Sequence, residues 1–444
     1  MSYENIKSFI LTILVIVSIL LTWVLWTYHP KYDTIENSNS IVKDISIGRT
    51  QEIDQLINPT KVIFHKNNQH FGMTKEDDIN NIMDEMKKWE FRDISKLSTP
   101  FNEEDYLSFT QQNGYVEIIF PDDIPFSIFK STFHLEDKEI SNVSVDRIIL
   151  NLNANKESDD MIYFVSPIDR LIYTAIVDYD EIQEMTSMYD MVEEYPKYFS
   201  YRPTKTNVLY LPIEPTTIKG VQYYTDLLDP EIFKEALFDD PNDVKKHILT
   251  YGEEYTDGSR LLRVFSGGKY LQYVNPVNNT DTDHAENSDL IESSIDFINE
   301  HGGWTADYRF FSLDQYQQQT TFKLFVRNYP VFNKSGLTEI HQVWGENEII
   351  RYQRPLLILE IPVPSGDVEL PEGQRVLEEI QAQPDFNPEL VEDIIVGYEL
   401  TDNPERVNVA TLVPIWSVKY NGVWRKLDFE HKDDEIGGNM GGLE

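Results

Sequence analysis

The chain has 444 residues, of which 41% are hydrophobic, enough apolar surface for the cores of two or three domains. It carries 38 Lys and Arg against 76 Asp and Glu, a formal net charge of −38 at pH 7, which makes nucleic acid a poor partner. Cysteine is absent, which excludes disulfides, thiolate nucleophiles and cysteine-ligated metal centres.

One apolar segment near the N-terminus predicts a membrane-spanning helix. Residues 9–26 contain no charged side chain, and a helix of this length spans about 27 Å, close to the thickness of the lipid hydrocarbon. The segment ends in aromatic residues rather than in a small-residue cleavage site. We therefore expect an uncleaved anchor in the lipid bilayer over residues 9–28. A short N-terminal tail, residues 1–8, is expected in the cytoplasm, and the large remainder is expected outside the cell membrane.

Small hydroxyl side chains lie along one face of this predicted helix. At about 100° per residue they fall within an arc of about 120°, together with two β-branched residues. Such a face permits close approach and hydrogen bonding between helices; alternatively, each hydroxyl group bonds to the backbone of its own helix. The predicted partner-binding face consists of Ser8, Thr12, Val15, Ser18, Ile19 and Thr22.

A polar stretch at 29–57 predicts a linker between the anchor and the globular part. An N-terminal α+β domain is predicted at 58–200, with an amphipathic helix at 75–89. Its strands are predicted at 61–65, 115–120, 147–152, 161–165 and 172–177.

The rest of the chain predicts a middle α+β domain at 201–302, a C-terminal α+β domain at 303–436 and a flexible tail at 437–444. Asp289 and Glu292 predict a capping box at a helix start, and Asn421-Gly422 fits a type I′ hairpin turn. Further helices are predicted at 230–238 and 373–381. The expected fold class is α+β, with mostly antiparallel sheets and packed helices.

Known catalytic and metal-binding patterns are missing from the sequence. His301-Gly302-Gly303-Trp304 is similar to an oxyanion-hole sequence, but no G-x-S-x-G nucleophile motif accompanies it, so the end of a helix is favoured. Asn279, Asp281 and Asp283 have calcium-loop spacing without the required Gly and Glu, which leaves only a loose surface site open. No catalytic residue, cofactor or metal ligand is assigned, and a binding or regulatory protein is favoured over an enzyme.

Several C-terminal motifs resemble the YycH family of Gram-positive bacteria, and the N-terminal order of tail, membrane helix and large exterior part resembles it too. The motifs are DFINEHGGW (296–304), YRFFS (308–312), YPVFNKSG (329–336), QVWGENEIIRYQRPLL (342–357), GYEL (397–400) and LVPIWSVKYNGVW (412–424).

This resemblance implies a non-enzymatic regulator with a three-domain α+β exterior. Members of the family act with the related protein YycI on the sensor histidine kinase WalK, also called YycG. That kinase belongs to an essential two-component system that controls cell-wall metabolism. The contacts are expected to run largely through transmembrane helices. Two other functions stay open: a membrane-anchored extracellular cell-wall enzyme, and a ligand-binding scaffold whose helix only anchors it.

Overall fold

Most of the chain beyond the predicted linker is seen in the structure, a computed structural model. The described residues are 48–97, 108–135, 143–153, 162–166, 171–265, 267–276, 287–345, 348–403, 406 and 408–429. The predicted membrane helix at 9–28 and the loop residues Asn279, Asp281 and Asp283 lie outside them. Within the described ranges, no helix has both the length and the apolar character needed to cross a bilayer. All of these ranges belong to one unit, Asp44–Glu444.

The first part of the described chain forms a ten-stranded sheet in the order β10-β9-β2-β1-β4-β6-β7-β8-β3-β5. Every pair is antiparallel except β3–β5 at one edge. The strands are β1 (Lys61–Lys66), β2 (Gln69–Met73), β3 (Glu90–Lys96), β4 (Tyr115–Pro125), β5 (His134–Leu135), β6 (Ser144–Asn151), β7 (Ile162–Ser166), β8 (Leu171–Ile176), β9 (Lys197–Tyr201) and β10 (Leu209–Pro212).

Helices accompany this first sheet. The predicted amphipathic helix is present as α2, where Ile79, Ile82, Met83 and Met86 recur at helical spacing and are all buried. Three acidic residues in its first turn suit the positive end of the helix dipole. The helices are α1 (Ile53–Leu56), α2 (Glu76–Met86), α3 (Ile128–Thr132) and α4 (Tyr179–Asp190), with a 3₁₀ turn at Val192–Glu194.

The second part forms a larger sheet in the order β12-β13-β14-β15-β20-β19-β17-β18-β22-β23-β11-β21, with β16 beside β17 and β24 beside β23. Its pairs are antiparallel except for β18–β22. The strands are β11 (Thr216–Leu227), β12 (Lys245–Leu249), β13 (Gly252–Thr256), β14 (Leu261–Phe265), β15 (Tyr270–Val274), β16 (Tyr308–Asp314), β17 (Gln319–Val326), β18 (Tyr329–Phe332), β19 (Glu339–Trp344), β20 (Ile349–Pro355), β21 (Leu357–Leu370), β22 (Val391–Asp402), β23 (Val409–Tyr420) and β24 (Val423–Lys426).

The helices of the second part are α5 (Pro230–Leu237), α6 (Asn287–Glu300) and α7 (Gly373–Gln381), with a 3₁₀ turn at Pro388–Leu390. The capping box predicted at Asp289 is wrong, because α6 begins at Asn287 and Asp289 lies inside its first turn. The helix end predicted at His301-Gly302-Gly303-Trp304 is confirmed. There Gly303 has a φ of 70° and its amide donates to the carbonyl oxygen of Ile298 at 2.8 Å.

The hairpin that joins β23 and β24 has the predicted turn. Asn421 and Gly422 both have positive φ, 49° and 75°, as a type I′ turn requires. One hydrophobic cluster extends from Leu56 through both sheets to Leu427, so the two sheets share a core. The prediction of an α+β fold with mostly antiparallel sheets is confirmed, whereas the predicted boundaries at 200/201 and 302/303 stay predictions.

Candidate functional site

The sequence-predicted partner-binding face is not part of what the structure describes. Its side chains belong to the predicted membrane helix, and they stay a prediction: Ser8, Thr12, Val15, Ser18, Ile19 and Thr22. The described fold offers three other features that bear on function. They are a buried charged cluster in the first sheet, a cleft between the two sheets, and the contacts that fix the end of the linker.

The buried charged cluster is centred on Glu117 of β4, which is 0% exposed. One carboxylate oxygen lies 2.9 Å from Nε2 of His65 on β1, and the other accepts from Nη1 of Arg147 on β6, also at 2.9 Å. The hydroxyl group of Tyr210 on β10 donates a further hydrogen bond to Glu117. Nδ1 of His65 lies 2.7 Å from Nδ1 of His70 on β2. Five strands of the first sheet therefore contribute to one polar cluster.

Strand register explains why these side chains meet. Glu117 lies opposite Ile63 on one neighbouring strand and opposite Ile149 on the other. Directly opposed residues project to the same face of a sheet, and so do residues two apart along a strand. His65 is two residues from Ile63, and Arg147 is two residues from Ile149. The basic side chains therefore flank the carboxylate on one face.

The cluster keeps Glu117 ionised. Burial by itself would raise the pKa of this carboxyl group, but the hydrogen bond from His65 and the charge of Arg147 outweigh it and lower the pKa to about 2. Burial and the neighbouring carboxylate raise the pKa of Tyr210 well above its usual value, so its hydroxyl group remains a donor. The centre of the first sheet thus holds a permanent negative charge that three other side chains neutralise or bind.

The paired histidines add a group that responds to pH. Burial, followed by the charge of His65, lowers the pKa of His70 from 6.5 to about 4. His70 is therefore neutral at pH 7. Because two N–H groups cannot face each other at 2.7 Å, only one of the two Nδ1 atoms carries the hydrogen between them.

This geometry suits a structural role better than catalysis. His65 is 1% exposed and Glu117 is fully covered, so a substrate has no route to the carboxylate that would act as an acid or base. Among the described residues, moreover, no three His, Asp or Glu side chains are placed to hold a metal ion. The cluster therefore gives no support to the alternative of an extracellular enzyme.

A polar bridge joins the first sheet to the second next to this cluster. Arg309 of β16 forms ion pairs with Glu76 of α2 and with Asp307. Its Nη1 also donates to Oδ1 of Asn328 at 2.8 Å, and Nδ2 of Asn328 donates to the carbonyl oxygen of Thr60 at 2.9 Å. These bonds run from one sheet to the other and fix the two sheets against each other.

A cleft lies between the sheets beside this bridge. It encloses about 530 Å³, counting the solvent at its mouth. The first sheet contributes Lys61, Tyr198 and Tyr210 to its walls, and the second contributes Tyr329 and Trp416 among others. Since Tyr210 also binds Glu117, the cleft and the charged cluster share a side chain.

The end of the linker is fixed to α6 by a set of contacts that we call the linker latch, formed by Arg49, Gln51, Asn299 and Trp304. The amide of Trp304 donates to the carbonyl oxygen of Arg49 at 2.8 Å, and the amide of Arg49 donates back at 3.0 Å. Oδ1 of Asn299 accepts from the amide of Gln51 at 3.0 Å and from the indole nitrogen of Trp304 at 2.8 Å. A side chain at Gly303 would meet the Arg49 carbonyl at 2.9 Å, so this close approach requires glycine.

Sequence reasoning assigned none of these residues to a site. One signal was present: YVEIIF places the acidic Glu117 among apolar residues, in a strand where an inward-facing charge needs partners. Its partners lie 52, 30 and 93 residues away along the chain, in His65, Arg147 and Tyr210. No local pattern could have selected them.

We expect Glu117→Gln to destabilise the fold by about 3–5 kcal/mol, because it removes the charge that balances the buried Arg147. Urea unfolding at pH 7 measures the loss. Glu90→Gln, on the exposed edge of β3, is the matched control and should stay within about 0.5 kcal/mol of the parent. Equal stability of the two variants would contradict the central role of the cluster.

We expect stability to fall as the pH is lowered from 7 to 5, partly through His70. The unfolded chain binds a proton at this residue below about pH 6.5 and the folded chain only below about pH 4, so the folded state loses stability as the pH falls through that window. Because His70 is partly exposed, we expect it to lower the free energy of unfolding by only about 1–2 kcal/mol between pH 7 and pH 5. His70→Gln should flatten this slope in urea unfolding at the two pH values. His134→Gln, at an exposed position, should leave the slope unchanged.

Comparison with known proteins extends along nearly the whole chain. The family model described as "YycH protein, N-terminal domain" matches residues 4–193, and that described as "YycH protein, C-terminal domain" matches residues 206–434. The chain is 26% identical over 443 residues to the two-component system WalR/WalK regulatory protein YycH of Bacillus subtilis (strain 168). That match covers 95% of this chain and 96% of the relative.

The fold has a counterpart among solved structures. The crystal structure of YycH from Bacillus subtilis matches with a TM-score of 0.72 at 23% identity, covering 86% of this chain and 98% of the other. At that identity the likeness concerns the fold alone. Together with the two family models, which between them match most of the sequence, the resemblance inferred from the C-terminal motifs is confirmed: the chain belongs to the YycH family.

Proposed function

We propose that this chain is a membrane-anchored, non-enzymatic regulator that acts with a YycI partner on a WalK-type (YycG) sensor histidine kinase. The observation that carries the proposal is family membership along the chain, together with a relative that is named as a WalR/WalK regulatory protein. The N-terminal family match begins at residue 4 and includes the predicted membrane helix at 9–28. In this proposal the N-terminus is cytoplasmic and the described fold lies outside the cell membrane.

The membrane helix is proposed to act through its hydroxyl face. A sensor kinase with two signalling states responds to any partner that contacts one state better than the other. A difference of about 1–3 kcal/mol changes the ratio of the two states about 5–150-fold. Packing of small residues and interhelical hydrogen bonds supply energies of this size in a bilayer.

The linker latch supports a mechanical connection between the exterior fold and this helix. Arg49 and Gln51 lie at the end of the linker that follows the predicted helix, and they bond to Asn299 and Trp304 in the second part of the fold. The polar bridge in turn holds the two sheets together. In this proposal a load on the described fold, such as a bound YycI partner, reaches the end of the linker at residues 49–51 through these hydrogen bonds.

We expect Thr12→Leu combined with Ser18→Leu to weaken association with the kinase or with YycI, because bulkier side chains prevent close helix packing. Bacterial two-hybrid signal or crosslinking yield at equal protein level measures the association, with at least a fivefold decrease expected. Ile13→Leu combined with Val17→Leu, on the opposite face of the helix, is the matched control. Equal association of both pairs would exclude the hydroxyl face. A foreign spanning helix that keeps regulation intact would exclude the proposed role of the helix altogether.

We expect Asn299→Ala to open the linker latch without unfolding the sheets, because it removes three hydrogen bonds, each worth about 0.5–1.5 kcal/mol. Amide hydrogen exchange at Arg49 and Gln51 should accelerate at least tenfold. The output of a response-regulator reporter should move toward the output of the chain that carries a foreign spanning helix. Asn242→Ala, in an exposed turn, should change neither. If amide exchange accelerates but the reporter output does not change, the linker latch plays no part in signalling. The proposal for the membrane helix is unaffected by that result.

A further inference from the structure

One arginine in the core of the second sheet has no negatively charged partner. Arg354 of β20 is fully buried. Among the described residues its terminal nitrogens donate only to neutral acceptors: the carbonyl oxygen of Gly303 at 3.2 Å, Oγ1 of Thr305 at 3.2 Å and the Tyr352 hydroxyl group at 3.1 Å. Its Nε atom has no hydrogen-bond partner there. A buried charge in such surroundings is costly and calls for an explanation.

The side chains around Arg354 do not supply the missing negative charge. Burial raises the pKa of Tyr352, so its hydroxyl group keeps its proton at pH 7. The ring of Phe233 lies 4.8 Å from the guanidinium carbon and offers only the weaker attraction of an aromatic face. The buried Arg147 and Arg309, by contrast, both bind carboxylates. Arg354 is therefore stabilised by neutral dipoles alone, and the most informative of these is the carbonyl group it contacts.

Strand alternation brings Arg354 to the end of α6. Tyr352 and Arg354 are two residues apart on β20, so they project to the same face of the sheet. Helix α6 packs on that face, because the ring of its Phe297 meets the Tyr352 ring edge-on with centres 5.1 Å apart. The residues that follow α6 then pass the guanidinium group, where Gly303 accepts its hydrogen bond. Two of the sequence motifs, 296–304 and 342–357, therefore meet at this point.

A single peptide group connects Arg354 to the linker. The carbonyl of Gly303 and the amide of Trp304 belong to the same planar trans peptide, so they point in opposite directions. The carbonyl accepts from Nη1 of Arg354, and the amide donates to the carbonyl oxygen of Arg49 at 2.8 Å. A cation at the carbonyl oxygen polarises the peptide and makes its N–H group a stronger donor. The Arg49 carbonyl also points its oxygen, the negative end of its dipole, toward Arg354.

We propose that Arg354 is a positioning residue that holds the linker latch closed through the peptide group between Gly303 and Trp304. Its charge strengthens the hydrogen bond from Trp304 to Arg49, and the aligned dipoles of the closed latch in turn stabilise the buried charge. Nη2 of Arg354 also bonds to Thr305, so the guanidinium group fixes the residues on both sides of Trp304. This inference rests on the latch invoked in the proposed function and adds the residue that sets its strength.

The test measures amide hydrogen exchange at Trp304 in the full chain, held in lipid nanodiscs. We expect Arg354→Met to accelerate this exchange about tenfold, because the hydrogen bond to Arg49 loses both the polarising charge and the fixed carbonyl. Arg354→Lys keeps the charge and should retain most of the protection. Should Arg354→Met fail to fold, Arg354→Gln replaces it as the uncharged variant and should exchange faster at Trp304 than Arg354→Lys.

Arg351→Met, at an exposed arginine on the same strand, is the matched control and should exchange like the parent. The amide of the buried Ile118 on β4 reports any loss of global stability in the same sample and should not accelerate. Parent-like exchange at Trp304 in the uncharged variant, equal acceleration in the charged and uncharged variants, or equal acceleration at Ile118 would overturn the proposal. These rates are measured without the kinase, so a failure here is distinguishable from a failure of the proposed function.

Discussion

The fold depends on the burial of one negative charge. Glu117 sits in the middle of the first sheet with no solvent contact, and an isolated buried carboxylate would be too costly to keep ionised. It is stable only while His65, Arg147 and Tyr210 all reach it. A shift of one residue in any of their strands would turn that side chain to the opposite face. The charge therefore specifies the register of the first sheet in a way that apolar side chains alone do not.

The cluster around the buried Glu117 also connects the first sheet to the second. Tyr210 lies on β10, which is distant in sequence from β4, and it lines the cleft between the sheets. The polar bridge adds hydrogen bonds between the two sheets through Asn328 and Arg309. Both sheets also contribute side chains to one hydrophobic core. The described fold is consequently suited to transmit displacement between its two sheets, because these hydrogen bonds and the shared core join them directly.

The sequence predicted the local elements well, for identifiable reasons. Short runs of apolar, largely β-branched residues located β1 and β6, and helical spacing located α2. The Asn421-Gly422 turn was recognisable because only a few residues adopt positive φ readily. The start of α6 was misplaced because polar residues before Asp289 join the helix, and a capping pattern cannot show how far it extends. The charged cluster, the cleft and the linker latch were missed because each depends on residues brought together by long-range strand order, which local patterns do not contain.

The strongly acidic composition bears on where the proposed regulator binds a partner. With 76 acidic against 38 basic residues, the chain uses several of its scarce cations in the interior: Arg147 and Arg309 are buried in ion pairs, and Lys61 faces the cleft. The solvent-facing surface is left more negative still, and such a surface repels another acidic surface over about 8–10 Å at physiological salt. The segment at 9–26 carries no charge. If it spans the bilayer as we propose, attraction to another membrane helix there is free of this repulsion, so the proposed function concentrates the binding energy for a partner in that uncharged segment.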